Sequence, residues 1–204
     1  MQQNNDADIS FWCDDGSGGD AEYFRLDGGL GWTVASKNIQ FSDSIKASFG
    51  SSVDMIIQHN GTNSYIENAT GNLEIINGQD DGDIIFKSDD GSGGIETYFF
   101  LDGSANGANP ATVFPDNSSL IFGTGNDLYL RHTGTNSEIK NYVGDLIIAN
   151  NANDKDIIFQ SDDGSGGVTT YFQLDGGEGR TVFKQNALWE DSKAIYMGNG
   201  ADLR

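Results

Sequence analysis

The sequence predicts an all-β chain built from tandem modules. The hexamer DDGSGG begins at Asp14, Asp89 and Asp162, with spacings of 75 and 73 residues. Around each copy, positions that stay fixed alternate with positions that change. The segments showing this alternation are short and are separated by clusters of Gly, Asn, Asp, Ser and Thr, the residues that supply positive φ or local side-chain caps to turns. An internal repeat of this length governs every other inference about the fold.

The best-preserved block runs from Asp83 to Gly103, "DIIFKSDDGSGGIETYFFLDG", and returns from Asp156 to Gly176 with 17 of 21 positions identical. In the strand after the loop, Phe24, Phe99 and Phe172 match, as do Leu26, Leu101 and Leu174, while the residue between them is Arg25, Phe100 or Gln173. A second block begins at Gly50 and returns at Gly123. There, Ile66 and Ile139 lie between the exchanged pairs Tyr65/Glu138 and Glu67/Lys140. Farther on, Gly71, Leu73, Ile75 and Asn77 recur as Gly144, Leu146, Ile148 and Asn150. Successive side chains of a strand point to opposite faces, so this period of two predicts strands with the restricted face buried and the permissive face wet. Each DDGSGG stretch then reads as the turn between two strands. The helix-like "NALWEDSKAIY" from Asn186 reads as irregular chain or strand. Pro110 and Pro115 mark Ser104 to Ser119 as an excursion, the stretch where the second copy differs in length.

The copies divide the chain into residues 1–82, 83–155 and 156–204, the third incomplete, with "GNGADLR" at Gly198 opening another second block. Arg204 corresponds to Ile56 and Gln2 to Asn77, so identical chains laid end to end leave about 20 residues missing at the joint. A fragment or a specialised short subunit is the expectation. The restricted face also carries Ser64/Ser137, Asn68/Asn141 and His59/His132, polar groups that need partners if buried. An intertwined homotrimer supplies such partners around its axis and turns three thin apolar stripes into one core. A single-chain β-solenoid, stacking the same residues in ladders, is the alternative.

The segments "FGTGNDLYLRHTGTNSEIKN" and "DIIFQSDDGSGGVTTYFQLDGG" resemble repeats in tail-fibre and other virion structural proteins of marine tailed phages, notably those infecting cyanobacteria. The resemblance extends over nearly the whole chain. It implies an elongated β-rich homotrimer, a shaft or appendage subunit of a virion assembled in the host cytoplasm, with other virion proteins as partners and a host glycan or receptor as a further one. Two other functions stay open: a receptor-binding or capsid-decoration module specified by the Ser104 to Ser119 excursion and the carboxyl end, and a secreted calcium-dependent adhesin repeat.

Composition narrows the chemistry. A formal net charge of −20, from 31 acidic and 11 basic residues, repels nucleic acid and anionic lipid. Only 36% of residues are apolar, so the core is thin, yet 11% aromatic residues argue against disorder. Cys13 is the single cysteine, and no export signal or membrane span is legible. Calcium at Asp14-Asp15, Asp89-Asp90 and Asp162-Asp163 is the sharpest alternative to plain turns, but neither EF-hand nor β-roll spacing is present. His59 and His132 occupy equivalent places, where three chains could gather imidazoles around a metal, although packing suits a lone strand-end histidine better. Ser165 in "GSGG" lacks the G-x-S-x-G nucleophile spacing. The sequons at Asn60 and Asn68 carry meaning only with a secretory route. No catalytic, cofactor or metal residue is therefore assigned, no cofactor is expected, and the chain is expected not to be an enzyme. Tyr65, Tyr129 and Phe100 on the permissive face are candidates for sugar contact.

Overall fold

The computed structural model describes residues 6–105 and 109–193, which form strands, turns and irregular chain without helix. Two compact units, Met1–Gly78 and Gln79–Arg204, divide the chain. In the first, β1 (Ile9–Asp14), β2 (Asp20–Asp27) and β3 (Trp32–Ala35) form one sheet, and β4 (Lys46–Phe49), β5 (Met55–His59) and β6 (Ser64–Asn68) form another. The second unit holds three sheets: β7 (Ile84–Asp89), β8 (Ile95–Asp102) and β9 (Ala111–Val113); β10 (Leu120–Phe122), β11 (Leu128–His132) and β12 (Ser137–Asn141); β13 (Ile157–Asp162), β14 (Val168–Asp175) and β15 (Arg180–Phe183). Every sheet is an open antiparallel meander of three chain-neighbouring strands.

Two sheet types alternate, and each repeats its own construction. The long-hairpin type carries a β-bulge at the same place in all three copies. Phe11 pairs with Phe24 and Trp12 with Glu22, which leaves Tyr23 without a counterpart. Tyr98 and Tyr171 stand in the same position. An extra residue of this kind tightens the strand's twist and re-aims its side chain. Each of these tyrosines donates its hydroxyl to the carbonyl that ends the preceding strand: Tyr23 to Asp14 at 3.0 Å, Tyr98 to Asp89 at 2.7 Å and Tyr171 to Asp162 at 3.0 Å. On the other side of the bulge, the paired phenylalanines stack with ring centroids 4.3, 4.5 and 4.4 Å apart.

The Ser104 to Ser119 excursion is smaller than its sequence suggests. Ala111–Val113 forms β9, the counterpart of β3 and β15, and residues 106–108 lie outside the described residues. Pro115, Asp116 and Asn117 form a tight turn in which Asn117 adopts a φ of 65°, matching Ser44 at 65° and Ser192 at 68°. Asn186 to Lys193 is irregular, and the rest of that helix-like stretch lies outside the described residues, as does the "GNGADLR" segment.

Two expectations require correction. The segments 72–77 and 145–150, whose alternation predicts strands, run without turn or bend but join no sheet among the described residues. The alternation repeats, but strand assignment requires a ladder of backbone hydrogen bonds, and the described residues place none beside these segments. The second correction concerns the faces. Within the chain the restricted face is not the buried one. Ile56, at 8% exposed the one buried apolar side chain among the described residues, stands at a permissive position. On each central strand the permissive residue is better covered than its restricted neighbour: Arg25 than Leu26, Ile56 than Ile57, Phe100 than Leu101, Arg131 than Leu130, and Gln173 than Leu174. Leu101 and Leu174 are 43% and 44% exposed, while Phe99 and Phe172 are half-buried by ring stacking. The physical reason is that a three-stranded sheet covers neither of its own faces. Within each unit, strands touch only neighbours of the same sheet.

Candidate functional site

The acidic loops are hairpin turns whose carboxylates bind their own backbone. Asp14 Oδ1 accepts the Gly16 N–H at 2.6 Å, and Asp15 Oδ1 accepts the N–H groups of Ser17 at 2.7 Å and Gly19 at 3.1 Å. Asp89 and Asp90 repeat the arrangement on Gly91, Ser92 and Gly94, as do Asp162 and Asp163 on Gly164, Ser165 and Gly167. Gly16, Gly91 and Gly164 take φ near 80°, a left-handed turn that a Cβ would strain. The first aspartate thus starts each turn and the second closes it. Among the described residues, no group of three His, Cys, Asp or Glu side chains is arranged to hold a metal ion.

This geometry carries a pH dependence. Backbone N–H groups, first that of Ser17, hold the Asp15 carboxyl below its ordinary value, and that of Ser92 does the same for Asp90. For Asp163 the Ser165 hydroxyl leads, followed by the backbone. A depressed folded pKa contributes stability that is complete above the ordinary carboxylate value of about 4 and is lost as pH falls through the depressed values. The expected result is that the Ser17, Ser92 and Ser165 amide resonances move together below about pH 4 in an NMR titration.

Each histidine sits at a strand end beside a serine. His59 Nδ1 lies 3.1 Å from Ser64 Oγ, and His132 Nδ1 lies 3.2 Å from Ser137 Oγ; both rings are exposed on the restricted face. The aromatic candidates differ among themselves. The Tyr65 hydroxyl accepts from Asn60 Nδ2 at 3.1 Å, and Phe100 is half-buried. Tyr129 belongs to a larger cluster with Tyr142, whose hydroxyl lies 3.2 Å away, and with Arg131 and Lys140 above its ring at 5.1 and 5.7 Å. Glu138 pairs with both cations, at 3.0 Å to Arg131 and 2.7 Å to Lys140. The Tyr142 hydroxyl, then the Lys140 ammonium, hold the Tyr129 phenol below its ordinary pKa. Tyr142, aligned with Ala69 of the earlier copy, escapes a reading based on repetition because it is not repeated.

The largest chemical feature is an apolar row across the restricted face of every sheet. Ala47, Ile57 and Ile66 are cross-strand partners in one, and Leu120, Leu130 and Ile139 in its counterpart. Phe159, Phe172 and Phe183 form the row in the last sheet, beside a second row of Ile157, Leu174 and Thr181. Ile66 and Ile139, aligned in the repeat, are 60% and 61% exposed. In the second unit, Phe114, Leu120, Leu130, Ile139 and His132 line an open groove of about 460 Å³.

No known family model matches the chain, and neither does any curated protein or solved structure. What the coordinates define is a class by architecture: an all-β chain of repeated three-stranded antiparallel sheets, each with an uncovered apolar row. Among the described residues, no helix is long and apolar enough to cross a membrane.

Proposed function

We propose that this chain is a non-enzymatic structural segment of a phage tail fibre or related virion appendage, assembled as a homotrimer and acting as a stiff spacer. The observation that carries the self-association is surface area. The chain exposes 16635 Å², whereas a compact monomer of its mass exposes about 9,300 Å². The difference of about 7,000 Å² far exceeds the ~800 Å² that one partner buries in a standard interface and lies above the roughly 2,000–5,000 Å² typical of obligate ones. A chain with one buried apolar side chain among its described residues has too little core to offset the conformational entropy of folding alone. Its folding partner must be present wherever the chain is made, and another copy meets that requirement.

The tail-fibre assignment itself rests on the resemblance of the repeats, supported by the regular alternation of sheet types along the chain. Acidic residues at the turns favour solubility and discourage sideways pairing of finished assemblies. The test is antibody labelling of intact phage particles carrying this chain, viewed by electron microscopy. Label on the tail or another appendage is expected. Label confined to lysate, with none on particles, contradicts the assignment.

A further inference from the structure

We propose that residues 72–77 and 145–150 are strands of intermolecular sheets, each pairing through its backbone with the open edge of a three-stranded sheet in a second copy of this chain. The proposal deepens the self-association reading above and rests on it.

Four observations converge. First, both segments run without turn or bend, and residues 72–76 and 145–149 make no backbone hydrogen bond with the described residues. An extended apolar segment with unpaired N–H and C=O groups is the form in which chains add to a sheet edge. Second, the turns before them direct them away from their own sheet. Asn68 Nδ2 donates to the carbonyls of Thr70 at 2.8 Å and Gly71 at 3.0 Å, and Asn141 Nδ2 does the same to Val143 and Gly144. With Gly71 and Gly144 at φ of 69° and 71°, the chain leaves β6 and β12 without folding back on them as a fourth strand.

Third, the exposed apolar residues match between copies. Leu73 and Leu146 are 46% and 48% exposed, and Ile75 and Ile148 are both 61%. The repeat therefore retains these side chains at positions that the described residues leave about half or more exposed. Fourth, the complementary feature lies in the same molecule, because among the described residues every sheet is open at both edges. The two segments lie 73 residues apart (145 − 72), as do the sheets of β4–β6 and β10–β12 (Leu128 against Met55), so a second copy offers both edges at the spacing of both segments. A foreign partner would need the same interval by coincidence. Charge does not prevent the pairing. Glu74 is the one ionised side chain in 72–77 and Asp145 the one in 145–150, and the rest of the chain's charge is screened over about 8 Å at physiological salt.

Hydrogen exchange followed by mass spectrometry on the full chain tests this. In the assembled protein, amides of 72–77 and 145–150 are expected to exchange at least 100-fold more slowly than in a free chain, alongside those of β5 and β11, and to lose protection when the assembly is dissociated. Free-chain exchange in the two segments, with β5 and β11 protected in an assembly of confirmed mass, overturns this proposal and leaves self-association standing. A monomeric mass overturns both.

Discussion

The double variant Ile66→Lys, Ile139→Lys is expected to be unable to assemble, and to lose most of its β-structure as a result. Both side chains sit in apolar rows at about 60% exposure, so covering them removes more than half of each from water. Covering an isoleucine to that extent contributes about 1–2 kcal/mol, and six such side chains in a trimer give about 6–12 kcal/mol. Lysine forfeits this gain and adds six charges to a surface that must become dry. The control is Glu67→Lys, one residue away on the permissive face, for which a change within about 0.5 kcal/mol is expected. Far-UV circular dichroism and sedimentation of the three proteins side by side provide the check. An unchanged assembly in the double variant would place the interface elsewhere.

Gly176→Val is expected to destabilise the last long-hairpin sheet by about 1–3 kcal/mol through overpacking. A Cβ at this position would run into the backbone carbonyl of Lys155, and backbone atoms cannot move aside as a flexible side chain can. The close approach has a cause. Gly176 N–H donates to Asp156 Oδ1 at 3.0 Å, drawing the end of β14 against the chain that enters β13. Gly28 on Asp8 and Gly103 on Asp83 repeat the bond at 3.0 Å, each spanning twenty residues, and a Cβ at either would likewise meet backbone. The equivalent substitution at Gly71, where a Cβ meets nothing within 4 Å, carries backbone strain alone and separates the two effects. Thermal melts of the assembled proteins measure both.

Much of the local structure was legible because identical copies report on one another. The hairpin role of DDGSGG, the strands that carry Phe99 and Phe172, and the strand around Ile66 all follow from alternation and turn chemistry. The clasp of Asp8, Asp83 and Asp156 was missed although the three recur at the repeat spacing; aspartates beside glycine turns read as solvated residues until the twenty-residue bond is seen. The bulge tyrosines Tyr23, Tyr98 and Tyr171 were missed for a different reason. A strict period of two cannot represent an inserted residue, so the pattern was read through them.

The exposed restricted face has the widest consequence. Sequence alternation distinguishes the two sides of a strand but does not name what lies against either. Here Leu26, Ile57, Leu101, Leu130 and Leu174 are held constant or conservatively exchanged on the side that the chain itself leaves open. The same limit applies to 72–77 and 145–150, whose pattern is that of a strand although they join no sheet among the described residues.

The central claim, that copies of this chain cover one another's apolar rows, is tested most directly by mass in solution from light scattering coupled to size exclusion. The account predicts a single species of about 66 kDa, three chains of 21.9 kDa each. A folded, β-rich species at the mass of one chain, stable across dilution, would contradict it.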